Sequence, residues 1–319
     1  MTSSTFTGAE AVEAAVTASP PRRSGLRHHH PVTPYLMLLP YVLLLCAFVL
    51  GPAVFGIWVS LHDWDFLLPN KPFIGLQNYA DLFDPDSITF EPFWKGMRAT
   101  AIFVVASVPF LVLIPLGIAL LLNRTFPGRS MFRAIIFAPF VLGIAVIGVL
   151  FRYLLDSQFG LINYLLGLVG IDPVGWTQTQ PAAWVALVGM TVWWTLGFNT
   201  VIYLAGLQGI PRDHYEAASL DGAGSWQKFL YVTIPGLRNI LVFILTTTVL
   251  ASANMFGQSY LVTNGGPGDS TRTAIMVMTQ EGLRSFKMGS ATAMSYILAV
   301  FLIIISAINF LALREREKK

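Results

Sequence analysis

Residues 99–123 read ATAIFVVASVPFLVLIPLGIALLLN, and no side chain in this stretch is charged. A helix needs about 20 predominantly apolar residues to cross the hydrocarbon core of a bilayer, so this stretch alone is long enough to span one. The whole chain has the same character, because 55% of its 319 residues are hydrophobic and 12% are charged. Soluble domains carry about 25% charged residues. The composition therefore excludes a freely soluble globular protein.

Five further apolar stretches follow or precede this one, separated by segments that contain charged residues. The sequence predicts an all-α polytopic membrane fold with six transmembrane helices, at about 34–61, 99–123, 134–155, 182–207, 236–260 and 288–313. Residues 1–33 are rich in Ser, Thr, Ala and Pro and are expected to form a disordered tail. Residues 314–319 form a short, charged C-terminal tail, so that 34–313 is the membrane domain.

Charge and cysteine content narrow the possible partners. Twenty Lys and Arg against seventeen Asp and Glu give a formal net charge of +3, and these residues form no basic stripe of the kind that nucleic acids require. The single cysteine, Cys46, permits neither an intramolecular disulfide nor a cysteine-based metal cluster. We therefore expect a partner in membrane lipid, but no nucleic acid and no bound metal.

The distribution of basic residues predicts the orientation. Lys and Arg resist translocation and accumulate in cytoplasmic loops. Thirteen of the twenty lie in the two tails and in the second and fourth connecting segments, all on the side of the N-terminus. The sequence thus favours two cytoplasmic termini.

The segment between the fourth and fifth apolar stretches, residues 209–235, reads GIPRDHYEAASLDGAGSWQKFLYVTIP. This pattern predicts a helix, a turn and a second helix. Pro211 suits the first position of a helix, and Asp213 places negative charge in the first turn, where the helix dipole favours it. Gly222 and Gly224 are expected to end that helix, after which Ser225 caps a short second helix.

This segment also carries a spaced motif. Glu216-Ala217-Ala218, Gly222 four residues later, and then Val232-Thr233-Ile234-Pro235 after nine residues resemble the EAA motif, E-A-A-x-x-x-G-x9-I-x-L-P, with Val for Ile and Ile for Leu. The motif, six spans, Phe-Ile-Gly-Leu-Gln-Asn-Tyr at 73–79 and Gly-Gly-Pro-Gly at 265–268 are similar to the permease subunits of binding-protein-dependent ABC sugar importers of the maltose and glycerol-phosphate type. The resemblance covers nearly all of the chain after the N-terminal tail.

The resemblance implies a division of labour in a bacterial cytoplasmic membrane. Two permease subunits, the second normally a different chain, pack side by side above two ATPase subunits that bind ATP and Mg. An extracytoplasmic binding protein delivers the sugar. This chain contains no Gly-Lys-Ser/Thr of a nucleotide-binding loop. We therefore expect a transport subunit that binds no cofactor and is not itself an enzyme.

The resemblance also assigns the contact with the ATPase. Glu216 would face a basic residue of that subunit, Ala217 and Ala218 would pack closely against it, and Gly222 would permit the turn. The full set of expected coupling residues is Glu216, Ala217, Ala218, Asp221, Gly222 and Pro235. The alternative is that the segment is only a well-capped surface loop.

Polar residues within the spans are candidates for a solute pathway, because they are costly in lipid and usually face a neighbour or a cavity. Amides exchange hydrogen bonds with hydroxyls in both senses, and aromatic rings cover the apolar faces of sugars. Asn254 and Gln258 stand four residues apart, which would place them on one face of a helix. The candidates are Asn254, Gln258, Ser252 and Tyr260 in the fifth span and Asn199, Tyr203, Trp193 and Trp194 in the fourth. The alternatives are helix–helix contacts or, for the tryptophans, a membrane-interface belt.

A secondary sugar carrier or channel working without an ATPase is the alternative function. Ion-coupled carriers commonly bury an ionisable residue as a relay, and the sequence places none in the middle of a predicted span. The same lack of charge in the fourth and fifth spans argues against ionic solutes. Co-purification of an ATPase separates the two functions.

Overall fold

The computed structural model describes residues 33–314, with side chains from 35 to 309. The expected tails at 1–33 and 314–319 therefore lie outside the described residues, apart from their boundary positions. Within the described part the chain forms helices and two isolated β-bridges but no strand, which confirms the all-α fold class.

The helices are numbered here in chain order. They are α1 (Thr33–Leu45), α2 (Gly51–Ser60), α3 (Gln77–Ala80), α4 (Phe90–Leu122), α5 (Arg129–Val141), α6 (Ile144–Leu154), α7 (Leu161–Leu168), α8 (Ala182–Gln208), α9 (Arg212–Leu220), α10 (Ser225–Lys228), α11 (Ile234–Gly236), α12 (Arg238–Ala253), α13 (Ala274–Thr279) and α14 (Met288–Arg314). Wider π-helical turns lie at Cys46–Leu50, Phe229–Thr233, Ser259–Thr263 and Gln280–Arg284.

Two compact units meet in sequence between Phe55 and Gly56. The first contains α1, the π-helical turn that follows it and the start of α2. Its described side chains are almost all exposed and apolar, which is typical of a membrane-spanning helix. The second unit contains everything from Gly56 onward and holds the core.

Four helical segments of the described chain are long and apolar enough to cross a membrane: Tyr35–Ser60, Phe90–Leu122, Ala182–Gln208 and Met288–Asn309. Two bent pairs raise the number of candidate spans to six. The segments differ from the expected ones mainly in three spans. The second begins nine residues earlier, at Phe90, and the third is bent. The helix of the fifth starts only after a bend, at Arg238, and ends at Ala253.

The bends have local causes. Helices α5 and α6 meet at 96°, where Leu142 and Gly143 adopt extended backbone conformations three and four residues after Pro139. Segment Ser225–Gly236 meets α12 at 69°, where Pro235 cannot donate a backbone hydrogen bond and Leu237 leaves the helical conformation. The third predicted span is therefore not one straight helix, whereas the second bend separates the loop from the start of the fifth span.

Helix α4 is the central element of the second unit, since it packs against α8, α12 and α13. One core cluster joins α4, α8 and α12 through residues such as Leu116, Leu207 and Ile244. A second joins α4, α13 and α14, and a third lies around Phe103, Leu187 and Met190. The first cluster therefore holds both α8 and α12 against α4.

Small residues allow the helices to approach each other closely, as is typical of membrane helix contacts. A Cβ atom added to Gly197 of α8 would lie 2.5 Å from the Cα of Phe137 and 2.6 Å from the carbonyl oxygen of Ile136, both in α5. By contrast, nothing lies within 4 Å of the corresponding position on Gly189 of the same helix. The α5–α8 contact therefore requires glycine at 197.

We expect Gly197→Ala to lower the thermal unfolding midpoint of the detergent-purified protein, because backbone atoms cannot move aside as a flexible side chain does. Gly189→Ala is the matched control and should raise it slightly, since alanine is preferred over glycine inside a helix by about 0.5–1 kcal/mol. Equal midpoints for the two variants would contradict the assigned contact.

Candidate functional site

The predicted helix–turn–helix at 209–235 is present, and hydrogen bonds join its two helical arms. Its first arm is α9, with Asp213 in the first turn. Pro211 precedes the helix as its N-terminal cap, with ψ 136°, and is not the first helical residue as predicted. Its second arm is α10 followed by the π-helical turn and α11.

Gly222 forms the turn between the arms. Its φ of +78° lies in the left-handed region that favours glycine. The Gly222 amide donates to the carbonyl of Ser219 (3.1 Å), and the Ala223 amide donates to that of Ala218 (2.9 Å). This pair of bonds is the Schellman motif, which satisfies the last carbonyls of a helix. The sequence prediction that Gly222 ends α9 is therefore explained by its backbone.

Gly224, and not Ser225, caps the second arm. Ser225 is the first residue of α10, and the predicted cap by its side chain is wrong. The Gln227 side-chain oxygen instead accepts a hydrogen bond from the Gly224 amide at 2.8 Å. Gln227 therefore supplies the half of a capping box that satisfies the backbone ahead of the helix.

Hydrogen bonds tie the two arms together. Lys228 Nζ donates to Ser219 Oγ at 2.7 Å, and the Tyr215 and Thr233 hydroxyls lie 3.0 Å apart. Tyr215 also packs against the core cluster that contains Leu207 of α8 and Leu237 at the entrance to α12. The loop is therefore anchored to the ends of the two helices that it connects.

The outer face of the loop is exposed. Glu216, Ala217, Asp221, Gly222 and Pro235 are exposed, and Ala218 is half-buried. Large apolar side chains accompany them, among them Leu220, which is 90% exposed, and Trp226, which is 68% exposed. Sequence reasoning missed both, although an apolar residue in an otherwise polar segment is a usable signal of a contact surface.

We expect Gly222→Ala to loosen the turn without disrupting the membrane core. No atom lies within 4 Å of the added Cβ, so the cost comes from φ +78° alone, about 1 kcal/mol. Hydrogen exchange of amides 217–224 should accelerate several-fold. Gly224→Ala, at φ −70°, is the control and should leave exchange nearly unchanged. Equal exchange in both variants would argue against a backbone role for Gly222.

A cavity of about 450 Å³ lies within the second unit, bordered by α4, α8, α12 and residues 254–258. Five of the predicted pathway residues line it: Trp194, Asn199, Ser252, Asn254 and Gln258. None of the described side chains that line it is charged. Its volume is within the range of small-molecule sites, roughly 300–1,000 Å³. Amides, hydroxyls and aromatic rings line the cavity.

The helix that was expected to carry Asn254 and Gln258 ends before them. Helix α12 stops at Ala253, and the Asn254 side-chain amide donates back to the Leu250 carbonyl at 2.8 Å. The prediction that the two side chains share one face of a continuous helix is therefore wrong. They nevertheless line the same cavity, because the chain turns there. The Asn254 amide oxygen stays available as an acceptor.

Asn199 and Ser252 also join helices. Asn199 is 5% exposed, and its amide donates to the Leu111 carbonyl of α4 (2.9 Å) and to Thr248 Oγ1 of α12 (3.4 Å). Ser107 of α4 donates to Ser252 Oγ at 3.3 Å. Both of the readings that the sequence left open for Asn199, helix contact and cavity lining, therefore apply to it.

The remaining three predicted pathway residues do not line the cavity. Tyr203 is fully buried in the core cluster around Leu207. The Trp193 ring lies 5.5 Å from that of Phe151. Tyr260 stacks on Phe256 with ring centroids 5.2 Å apart and accepts a hydrogen bond from Arg284. Four-residue spacing showed which residues share a helix face, but not which of them reach the cavity.

Sequence reasoning also missed cavity residues that have hydroxyl groups. Thr191, Thr195, Thr247 and Thr248 line the cavity together with the Phe198 ring. Thr191 and Thr195 precede Asn199 at intervals of four, so all three share a face of α8. That regular spacing was a signal in the sequence.

Comparison with known proteins places these features in a family. The family model described as binding-protein-dependent transport system inner membrane component matches residues 92–316. The trehalose/maltose transport system permease protein MalF of Thermococcus litoralis is 33% identical over 269 residues, 84% of this chain and 90% of its own length. The lactose transport system permease protein LacF of Rhizobium radiobacter is 32% identical, over 92% of this chain and 98% of its own length. The arabinooligosaccharides transport system permease protein AraP of Bacillus subtilis is 30% identical, over 90% of this chain and 91% of its own length.

A solved structure supports the fold. A chain of a bacterial ABC transporter involved in the import of the acidic polysaccharide alginate superposes with a TM-score of 0.75, covering 88% of this chain and 95% of that one at 23% identity. The family match and the relatives named above confirm the resemblance that the sequence first suggested. The chain is a membrane-spanning transport component and belongs to the family of binding-protein-dependent transport system inner membrane components.

Proposed function

We propose that this chain is the permease subunit of an ATP-driven importer for a neutral sugar. The observation that carries the proposal is the uncharged cavity of about 450 Å³ on α8 and α12, the same two helices that the EAA-like loop connects. Solute binding and energy coupling would then act on one pair of helices. Import would follow by alternating access, with a rigid-body exchange between inward-open and outward-open states.

The chemistry of the cavity favours a sugar. Asn254 and Gln258 offer amide groups, the threonines of α8 and α12 offer hydroxyls, and Trp194 and Phe256 offer flat apolar surfaces. This mixture matches a pyranose, which has hydroxyls at its edge and C–H groups on its faces. The relatives named above are permeases for trehalose/maltose, lactose and arabinooligosaccharides. The uncharged lining supports a neutral member of that class.

The loop 209–235 would form the contact with an ATPase subunit. Glu216, Ala217, Ala218 and Gly222 would sit in a cleft of an ATPase subunit, with Asp221 and Pro235 at the edges, and Leu220 would add an apolar anchor. Hydrogen bonds between the arms would make the loop move as a unit. ATP and Mg would bind to that partner and not to this chain.

The remaining subunits follow from the same proposal. A second permease, normally a different chain, would complete the pathway, and an extracytoplasmic binding protein would deliver the sugar. A solved alginate importer related in fold is described in complex with an alginate pentasaccharide-bound periplasmic protein. We place the chain in a bacterial cytoplasmic membrane with both termini in the cytoplasm, because most Lys and Arg residues lie on that side.

The proposed coupling predicts that Glu216→Lys and Gly222→Val each uncouple sugar uptake from ATP hydrolysis. Reversal of a charge at the ATPase contact, or strain at φ +78°, should disturb docking and leave the membrane core intact. Uptake in proteoliposomes should fall at least about tenfold, while the amount of this chain in the membrane stays constant. Asp172→Lys, at an exposed position outside the loop and outside the cavity lining, is the charge-matched control. Wild-type uptake by both loop variants would overturn the proposal, as would sugar transport by the purified protein without an ATPase.

The proposed pathway predicts a sugar-binding defect for the double variant Asn254→Ala, Gln258→Ala. Removal of two hydrogen-bonding amides should lower the efficiency of uptake about tenfold or more. A panel of radiolabelled trehalose, maltose, lactose and arabinooligosaccharides, each with the cognate binding protein, identifies the sugar. Asn123→Ala, an exposed amide outside the cavity, should transport normally. Wild-type affinity and rate in the double variant would exclude these amides from the pathway.

A further inference from the structure

A second cavity, of about 420 Å³, lies beside the first within the second unit. It is bordered by α13, the π-helical turn Gln280–Arg284 and the first half of α14. Its size is similar to that of the first cavity and is again within the range of small-molecule sites. None of the described residues in its lining is charged.

Asn254 connects the two cavities, because its side chain borders both. This position is where α12 ends and the chain turns. The Asn254 amide nitrogen is engaged by the Leu250 carbonyl, so its amide oxygen is the group that remains to accept a hydrogen bond at the junction. A solute that extends from one cavity into the other would pass this oxygen.

The second cavity repeats the chemistry of the first. Thr279, Thr292 and Ser295 bring hydroxyls to it, and Met278, Met288 and Ile275 bring apolar surface. Thr279 donates to the Ile275 carbonyl and Ser295 to that of Ala291, which leaves their oxygens as acceptors. The Thr292 hydroxyl has no hydrogen-bond partner among the described residues, so it can both donate and accept.

We infer that the second cavity is a further glycosyl-binding subsite, and that the transported solute is a neutral oligosaccharide of two or more units that spans both cavities past Asn254. The inference rests on the proposed function, and it adds a chain-length preference to it. One sugar unit occupies the cavity on α8 and α12, and the next contacts Thr279, Thr292 and Ser295. A monosaccharide fills the first cavity alone.

The test compares sugars of increasing length in the complete transporter, reconstituted with its partner subunits and binding protein. The probes are glucose, maltose and maltotriose as one series, and arabinose, arabinobiose and arabinotriose as the other. In Thr279→Val, Thr292→Val, two hydroxyls are replaced by methyl groups of the same shape. We expect uptake efficiency for the trisaccharide to fall about threefold to tenfold, with little change for the monosaccharide.

The matched control is Thr191→Val, Thr195→Val in the first cavity. Both hydroxyls donate to carbonyls of their own helix, as the Thr279 hydroxyl does, whereas the Thr292 hydroxyl makes no such bond. We expect this control to lower uptake at every length. Equal losses at all lengths, or no loss, in the Thr279, Thr292 variant would overturn the second subsite. Absence of uptake of any neutral sugar by the wild-type complex would instead overturn the proposed function.

A labelling experiment distinguishes a sugar subsite from a surface that is covered by lipid or by the second permease. In a Cys46→Ser background, Thr292→Cys should react with a water-soluble methanethiosulfonate reagent, and maltotriose should slow the reaction more than glucose does. Val300→Cys is the control on the same helix, since Val300 is 51% exposed and lies outside the cavity. Failure of Thr292→Cys to react, or a reaction that no sugar slows while Ala251→Cys in the first cavity is protected, would refute the inference.

Discussion

The buried amide of Asn199 holds together the three helices on which the rest of the structure depends. It reaches a carbonyl of α4 and a hydroxyl of α12 from its own position on α8. In lipid there is no hydrophobic force between helices beyond packing, so such bonds and small-residue contacts determine how helices meet. The Ser107–Ser252 bond and the close approach at Gly197 act in the same way. The cavity lies beside these contacts, and its walls are therefore set by them.

The sequence predicted the extent of some helices well and their continuity poorly. The apolar stretch 182–207 corresponds to α8 at Ala182–Gln208, because a lack of charge measures the length of a span. The same criterion does not detect a bend, so the break at Gly143 and the end of α12 at Ala253 were missed. Pro139 and Gly143 were the signals available for the first of these. No comparable residue marks the end of α12.

The candidate sites show the same limit. Gly222 was predictable because only its backbone conformation matters, and glycine is the usual residue for φ +78°. Tyr203 was not, because four-residue spacing from Asn199 gives a shared face and says nothing of how far the cavity extends along it. Thr191 and Thr195 were detectable from their spacing to Asn199, but that spacing does not show whether the shared face borders a cavity. Burial and the paths of neighbouring helices decide these cases, and neither can be deduced from one sequence.

The exposed pair Leu220 and Trp226 has a consequence for the life of the protein in the cell. Large apolar side chains that project into water favour association with any available surface. Without the partner proposed for the loop, both side chains would stay exposed to chaperones, proteases and other copies of the chain. The amount of the protein that accumulates would then depend on the supply of that partner as well as on the stability of this chain.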